Sequence, residues 1–368
     1  MKLTISRETL LEQLIHVVGA VEKKHTSKIL ENLLIQVSNT ELQLVGTDLE
    51  IEMCSKLEIQ AETAGKTTTP AKKLFDICKA LPANCFILLE TDDKQRLHIK
   101  GLRSHFELST LPADEYPLLD DIPIKQEINI PEKKLKSLLD NVSFSMANQD
   151  VRYYLNGLLL EFIDSTILAV STDGHRLAVS EYVSDEPSSK NLKIIVPRKG
   201  ILELSRLLDP STELPVTLQI SDNHIRIQKD GIRFTSKLID GKYPDYQAAI
   251  PSNSKFLLEL ERDKFRDTLA RVAILSNEKF RGIRIGLKNN LMTLHSNNPE
   301  NESAEEEIDI KYSGDEFEIG FNVSYLLEAV NHLDSETIAL ELSTPDSSAL
   351  LHSIEDTNTR YVVMPIRL

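Results

Sequence analysis

A chain of 368 residues, 41% of them hydrophobic, has room for two or three domains with cores of their own. Its net charge of −15 argues, taken as an average, against a polyanion as partner, but an average is silent on where the charges sit. Cys54, Cys78 and Cys85 lie 24 and 7 residues apart, which fits no zinc pattern, and their odd number excludes a complete disulfide framework, so a reduced, cytoplasmic compartment is expected. No apolar run reaches the roughly eighteen to twenty residues of a membrane span, and Met1 leads straight into an alternating segment with no charged and apolar leader, so neither a span nor a signal peptide is expected.

Residues 2 to 5 alternate as a strand, and Ser6 has the character of an N-cap. Leu10, Leu11, Leu14, Ile15 and Val18 then keep helical spacing, which predicts a helix over 6–18. After the basic loop Lys23-Lys24-His25, strands are predicted at ILENLLIQVS, at ELQLVGTDLEIEMCSKLEI and around residues 66–69. Pro70 is placed to open a second helix over 70–81, since proline is favoured at the first helical position. The alternating segments CFILLET and RLHIKGLRSHFELS follow and end at LPADEYP.

The same order comes twice more. Helices are predicted over 131–143 and 197–208, with strands at GLLLEFI, ILAVST, HRLAVSEYV, VTLQI, HIRIQ and RFTSKL and an end at LIDGKYP. A third pass has helices over 261–275 and 322–333, with strands at KFLLEL, GIRIGL, LMTLHS, IALEL, SALLHSI and RYVVMPI. The first helices begin near 6, 131 and 261 and the second near 71, 197 and 322, which are 65, 66 and 61 residues apart. Tyr116-Pro117 and Tyr243-Pro244 close the first two, each followed by a proline-containing linker. Three domains of one plan are expected, at 1–120, 127–246 and 252–368; periods this long indicate duplicated domains and not a solenoid.

The six predicted helices hold 14 Lys or Arg against 10 Asp or Glu, so the remaining chain carries −19. Lys72 and Lys73, Lys133 and Lys134, Arg198 and Lys199, and Arg262 and Lys264 crowd the N-terminal turns, where the helix dipole prefers acids. A placement that works against local stability points to an anion. If the helices share one concave face, two copies close a ring of six domains with a cationic lining suited to a phosphate backbone and an acidic outside.

The stretch 149–179 concentrates chemistry: Leu155 and Leu177 bracket it, Gly157 and Gly174 permit close backbone approach or positive φ, and Asp173 and His175 sit two apart. Three readings compete for it. A metal-dependent hydrolase needs a third ligand and a second shell that Asp-x-His alone lacks. A monomeric peptide-binding scaffold needs only the apolar residues. The third is a non-enzymatic ring that holds DNA by enclosure.

The segments DVRYYLNG (150–157), TDGHRLAV (172–179), VPRKG (196–200), FTSKL (234–238), AILSNEKFRG (273–282), EIGFNVSY (318–325) and YVVMPIRL (361–368), with GTDLEIEM and FDIC in the first pass, closely resemble the bacterial DNA polymerase III β-subunit family, the β sliding clamps. The resemblance implies an α+β fold of three repeated clamp domains, each with two helices packed on antiparallel sheets, together forming half of a ring. It implies a head-to-tail homodimer around double-stranded DNA, read without regard to sequence, with no catalysis, no cofactor, no metal and no membrane. The implied partners are the polymerase III α subunit, the clamp loader, and other replication and repair proteins bearing clamp-binding peptides. Nothing in the chain reads as a phosphate-binding glycine loop.

Carried over by position, the peptide pocket comprises Leu155, Thr172, Gly174, His175, Arg176, Leu177, Pro244, Ala249, Val362, Met364, Pro365, Ile366, Arg367 and Leu368. Aliphatics and a polarisable Met form an adaptable slot for Leu- and Phe-bearing peptides. Ile366 stands where the family has Met, and Ala249 is smaller than the usual aliphatic, so peptide preference is expected to differ. The DNA-facing set is Lys24, Lys73, Gln149, Arg152, Tyr153, Tyr154, Arg198 and Lys199. At the ring contact Phe106 and Leu108 are expected to meet Ile274 and Leu275, with Arg103 and His105 facing Glu300, Glu302, Glu305 or Glu306. His105 replaces an expected Arg and loses its charge above the ordinary imidazole pKa of about 6.5, so a looser dimer is expected.

Overall fold

The computed structural model describes residues 1–22, 27–119, 122–184, 191–252 and 254–367, so the basic loop at 23–25 lies outside the described residues. Six helices form: α1 Arg7–Val18, α2 Ala71–Ala80, α3 Glu132–Ser143, α4 Arg198–Leu207, α5 Arg262–Ala273 and α6 Val323–Asn331. Each is entered with no intervening loop from a strand ending one residue earlier, namely Lys2–Ser6, Gly65–Pro70, Gln126–Pro131, Leu192–Pro197, Phe256–Glu261 and Phe317–Asn322. This junction, repeated six times, is the structural form of the repeat.

The prolines therefore act one residue earlier than the sequence indicates. Pro70, Pro131 and Pro197 close strands, and the helix begins at the next residue. A helix N-cap needs extended backbone angles, which a proline ring supplies ready-made: Pro70 has φ −55° and ψ 111°. Ser6 and Asn322 use side chains instead, accepting from the backbone N–H of Thr9 and Ser324 at 3.1 and 2.9 Å. Two segments predicted as single strands are hairpins. Glu41–Thr47 and Ile51–Glu58 are joined through Asp48, whose Oδ1 accepts the N–H groups of Glu50 and Ile51, with Leu49 at φ +75°. Arg96–Gly101 and Ser104–Ser109 are joined through Leu102 at φ +51°. Neither turn carries the glycine that usually marks positive φ, so the alternation runs through both unbroken. Strands at Leu192–Pro197, Ser303–Asp309 and Phe317–Asn322 were not foreseen.

Arginines at the first position of three helices have an unexpected destination. Arg7 donates to the carbonyls of Cys78 and Lys79 in the last turn of α2, both at 3.0 Å. Arg198 donates to Met146 and Ser143, at 3.1 and 3.5 Å, at the end of α3. Arg262 donates to Leu333, just past α6, at 2.7 Å. In every repeat one guanidinium serves carbonyls at or just past the end of the companion helix, where the chain lacks intrahelical donors. For Arg198 and Arg262 this replaces the external anion inferred from their position at the start of a helix.

Two compact units form, one from residues 1–135 and 199–238 and the other from 136–198 and 239–368. The first holds an antiparallel eight-stranded sheet in the order Gly65–Pro70, Asn32–Val37, Glu41–Thr47, Ile51–Glu58, Ile232–Lys237, His224–Lys229, Pro215–Ile220, Gln126–Pro131. Its four-stranded sheet runs Lys2–Ser6, Phe86–Thr91, Arg96–Gly101, Ser104–Ser109. The second unit repeats the plan: an eight-stranded sheet ordered Leu192–Pro197, Gly157–Ile163, Thr166–Thr172, Arg176–Val183, Thr359–Val363, Ala349–Ser353, Thr337–Leu342, Phe256–Glu261, and a four-stranded sheet ordered Ser303–Asp309, Leu291–Asn297, Gly282–Lys288, Phe317–Asn322. In each eight-stranded sheet one ladder carries the sheet from one repeat into the next: Ile51 pairs with Ser236 and Ser55 with Ile232, as Arg176 pairs with Val363 and Ser180 with Thr359. The central repeat therefore contributes one sheet to each unit.

In the first unit a fully buried carboxylate supports that ladder. Glu52 accepts from Arg233 Nη2 at 3.1 Å and from the backbone N–H of Leu119 at 2.8 Å, tying down the start of the linker after Tyr116-Pro117. Glu52→Ala removes the acceptor for both and is expected to cost on the order of 3 to 5 kcal/mol, read as a lower urea midpoint by circular dichroism. An unchanged midpoint would remove this carboxylate from the account of the fold.

Candidate functional site

A cleft of about 440 Å³ opens on the second unit where the short turn Tyr153–Leu155, the strand pair ending and beginning at Thr172 and Arg176, the strand Thr359–Val363 and the segment 244–249 converge. Leu155, Thr172, Gly174, Arg176, Leu177, Pro244, Ala249, Val362 and Met364 line it, as expected, joined by Arg152, Tyr154, Asp245, Tyr246, Ala248 and Ser348. Its floor is the top of the core: Leu155, Leu177 and Val362 are 2 to 4% exposed and pack with Leu159, Val170, Val179 and Tyr243. Core and cleft are thus the same residues seen from two sides.

The turn at 172–176 is built by its own side chains. Thr172 Oγ1 accepts from the N–H of Gly174 at 3.0 Å and donates to the carbonyl of Arg176 at 2.6 Å. Asp173 Oδ1 accepts from the N–H groups of His175 and Arg176, and its Oδ2 from Arg176 Nε at 3.1 Å. Arg176 runs back beneath the surface to Glu328 and the carbonyl of Phe144, its guanidinium 4.6 Å from the centre of the Tyr325 ring. Asp173 is therefore occupied in holding a turn, and no group of three His, Cys, Asp or Glu that could hold a metal ion occurs among the described residues.

Arg152 lies across the mouth. Asp150 holds its guanidinium through both oxygens, at 3.0 and 2.9 Å, and Arg152 also donates to the carbonyl of Asp173 at 3.1 Å. Bonds from the Arg152 side chain and then its backbone N–H lower the Asp150 carboxyl to about 2. Gly174, at φ +88°, passes directly under it: a Cβ there would come within 2.9 Å of Arg152 Nη1. On the far wall Tyr246 donates to Glu161 at 2.9 Å, and burial, followed by that bond, pushes its phenol up to about 12.

Four expected pocket residues lie elsewhere. His175, Pro365, Ile366 and Arg367 line a second cleft of about 590 Å³ with Asn277, Lys279, Phe280, Gly282, Asn297, Asn298, Pro299, Asn322 and Tyr325. Met364 lines both clefts. The terminal segment that parts them is anchored by the N–H of Met364 on the His175 carbonyl, at 2.9 Å, and that of Ile366 on Gly320, at 2.8 Å. His175 is exposed and stacks toward Tyr325 at 6.4 Å. Leu368 lies outside the described residues. The polar members of the second cleft were not singled out from sequence, although the quoted segments at 273–282 and 318–325 contain several of them.

Of the DNA-facing candidates, Lys73, Gln149, Arg152 and Tyr153 are exposed, Tyr153 by 57%. Tyr154 is half-buried in the first cleft. Arg198 is engaged on α3, and Lys199 is paired with the buried Asp48 and bonded to the carbonyl of Ala20 at 3.3 Å. Lys24 lies outside the described residues. Lys73, Lys134 and Lys264, each the third residue of its helix, carry no ion pair among the described residues.

Among the ring-contact candidates, Ser104–Ser109 and Ser303–Asp309 are each the outermost strand of a four-stranded sheet. His105 faces out and bonds His98 at 3.2 Å, which in turn meets Asp92 at 3.0 Å, while Phe106 and Leu108 face in. Arg103 stands in the exposed turn before the strand. Glu306 is held by two bonds of 2.6 Å from Arg271, and Glu302 by Asn298 at 2.7 Å; Glu300 and Glu305 are exposed. Ile274 is 74% exposed just past α5, with Leu275 half-buried beside it.

Compared with known proteins, the chain matches the DNA polymerase III β subunit domain by domain: the N-terminal domain at residues 1–120, the central domain at 129–245 and the C-terminal domain at 247–367. It is 46% identical over 369 residues to the β sliding clamp of Pseudomonas aeruginosa and 45% identical to that of Escherichia coli, with 100% of each chain covered. Among solved structures, the DNA polymerase III subunit beta from Pseudomonas aeruginosa superposes with a TM-score of 0.94 at 45% identity over 100% of both chains. The Caulobacter crescentus β sliding clamp, solved with PEG bound to a putative β-motif tethering region, gives 0.95 at 35% identity over 100% of this chain and 99% of that one.

Gly174→Ala tests the mouth of the first cleft. The left-handed backbone and the contact with Arg152 together are expected to cost about 1 to 3 kcal/mol, read by thermal unfolding. Displacing Arg152 should also let the Asp150 carboxyl rise toward its ordinary value of about 3.9 in an NMR titration. An Asp150 titration that does not move would mean that Arg152 does not depend on the bare glycine.

Proposed function

The chain belongs to the DNA polymerase III β-subunit family, the bacterial sliding clamps, and from that membership we propose that two copies close head to tail into a ring around double-stranded DNA. It is a DNA sliding clamp, a processivity factor and not an enzyme. The hydrolase reading of 149–179 has no support, and the proposed hold on DNA is enclosure, which permits sliding with little intrinsic affinity.

One observation carries the ring. Within the chain, the strand Ile51–Glu58 pairs with Ile232–Lys237, and Arg176–Val183 with Thr359–Val363. The equivalent strand of the third repeat, Ser303–Asp309, and that of the first, Ser104–Ser109, are both sheet edges. An unpaired edge is a template for another chain, and a heterologous contact that closes by rotation gives a ring. Carrying over the internal register sets Glu305 of one copy beside His105 of the other, and Ala304 beside Phe106. Three domains at 1–120, 127–246 and 252–368 are the repeating units of this assembly.

In the ring, Lys73, Gln149, Arg152, Tyr153 and Tyr154 are the DNA-facing side chains; Lys24, outside the described residues, belongs to the same proposed set. Lys134 and Lys264, at the same helical position as Lys73, extend that lining. The first cleft receives Leu- and Phe-bearing peptides of the polymerase α subunit, the clamp loader and other replication and repair proteins, in the cytoplasm. The loader opens one interface to admit DNA.

After loading onto nicked circular plasmid, the protein is expected to stay with the DNA through gel filtration and to be lost when the plasmid is cut once. Retention on the linear form would mark an ordinary DNA binder, and no association a scaffold. At the ring contact His105→Arg, charged at every working pH, is expected to tighten self-association at pH 8 in sedimentation. A weaker dimer would rule out the Glu305 pairing.

A further inference from the structure

A chain of hydrogen bonds runs along the outward face of the first four-stranded sheet, beside its free edge. His98 Nδ1 and His105 Nε2 stand 3.2 Å apart, their rings near parallel with 18° between the planes. At the far side of His98, Nε2 meets Asp92 Oδ2 at 3.0 Å. Asp92 is itself fixed, because its Oδ1 accepts the N–H groups of Lys94 and Arg96, both at 2.9 Å. The carboxylate assigns the neutral His98 proton to Nε2 and leaves a lone pair on Nδ1, aimed at His105. The cations on the same face are taken, Arg96 by Glu107 and Lys100 by Glu90 at 3.5 Å.

The third repeat holds the complementary pair. His295 is directly opposite Glu305 in the ladder between Leu291–Asn297 and Ser303–Asp309, and both face out, Glu305 exposed and His295 half-buried between the buried Leu294 and Ser296. Opposed residues of an antiparallel pair share a face, with Cβ atoms about 4.5–5.5 Å apart. The register proposed for the ring contact sets Glu305 of one copy beside His105 of the other. One outward row then runs across four strands through Lys100, His105, the partner's Glu305 and the partner's His295, with His98 leaning in beside His105.

We propose that a zinc ion binds across the ring contact, held by His98 Nδ1 and His105 Nε2 of one copy and by the partner's Glu305 and the partner's His295. This rests on the ring and the register proposed above. Imidazole nitrogens and carboxylate oxygens are zinc ligands at about 2.0–2.2 Å, and two such atoms at a tetrahedral ion lie about 3.3 Å apart, close to the His98–His105 separation. The ion takes the place of one hydrogen bond. His105 carries its proton on Nδ1 instead, and the two freed lone pairs turn toward the metal. Asp92 behind His98 supplies the carboxylate–imidazole–metal arrangement that fixes a ligand's tautomer and raises its basicity. Within one chain only two of these donors converge, in keeping with the lack of a three-donor group among the described residues. The site is complete only in the closed contact, so the metal strengthens the edge at which His105 replaces an arginine.

The test is sedimentation of the full-length protein near neutral pH, in EDTA and with Zn2+ as the probe. At a Zn2+ concentration ten times its site dissociation constant, mass action at the two contacts of a ring is expected to lower the dimer dissociation constant about a hundredfold. EDTA should reverse the effect, and Mg2+, which takes oxygen ligands, should not produce it. His98→Ala leaves the strand pairing intact, so it should dimerise like wild type in EDTA and lose most of the response to the same Zn2+ concentration. Asp92→Asn should raise the half-saturating Zn2+ concentration about 10- to 100-fold. A wild-type dimer indifferent to Zn2+, or a response undiminished in His98→Ala or Glu305→Gln, overturns the metal site and leaves the ring standing. A chain that stays monomeric at every concentration, with and without Zn2+, overturns the ring and the site with it.

Discussion

The hydrogen-bonded ladder that joins one repeat to the next is the constraint from which the other features descend. Antiparallel strands have two edges, and a repeat of two helices on two sheets offers one open edge on each sheet. Inside the chain these edges are consumed pairwise, at Ile51–Glu58 with Ile232–Lys237 and at Arg176–Val183 with Thr359–Val363. Three repeats in a row leave one edge over at each end. Arg103, in the turn before Ser104–Ser109, and His105 on that strand can meet acids such as Glu305 on Ser303–Asp309 in such a pairing. The same constraint sets the site. The first cleft exists where the strand Thr359–Val363 meets Arg176–Val183, so Val362 of the third repeat stands beside Leu177 of the second.

Much of this was legible in the residues. Helical spacing at Leu10, Leu14 and their equivalents located all six helices to within two residues at either end, because each helix buries one apolar stripe and exposes the rest. The tyrosines of the two Tyr-Pro pairs, Tyr116 and Tyr243, are both buried in hydrophobic clusters. The hairpin turns at Leu49 and Leu102 were illegible because leucine at positive φ leaves no signal in sequence; Asp48 supplies the turn through its side chain in the first, and the second turn carries no residue that announces it. The strand Ser303–Asp309 was missed because four of its seven residues are acidic, a composition that reads as loop when the partner that would neutralise it is absent.

The apolar half of the candidate site was legible and the polar half was not, for a physical reason. Leu155, Leu177 and Val362 belong to core periodicity and to the cleft together, so a pattern search finds them. Basic residues at helix starts were also visible, but their destinations were not. A lysine or arginine there can serve an outside anion, as the position of Lys73 allows, or the carbonyl ends of a neighbouring helix, as Arg7, Arg198 and Arg262 do. Sequence shows the donor, and only the packing of two helices shows the acceptor.

One position, followed through the repeats, shows how a single plan yields three roles. The hairpin that closes each second strand pairs Thr47 with Glu52, Thr172 with Leu177 and Asn297 with Ser303. In the first repeat a fully buried glutamate latches the linker at Leu119. In the second, leucine leaves that space apolar and open, and a cleft remains. In the third, an exposed serine starts the edge strand. Burying a carboxylate is costly unless its partners are fixed, and Glu52 has Arg233 and a backbone N–H for the purpose; leucine needs neither. One plan thus gives three outcomes at this position: a carboxylate that latches the linker in the first repeat, a leucine in the floor of a cleft in the second, and a serine that starts an edge strand in the third.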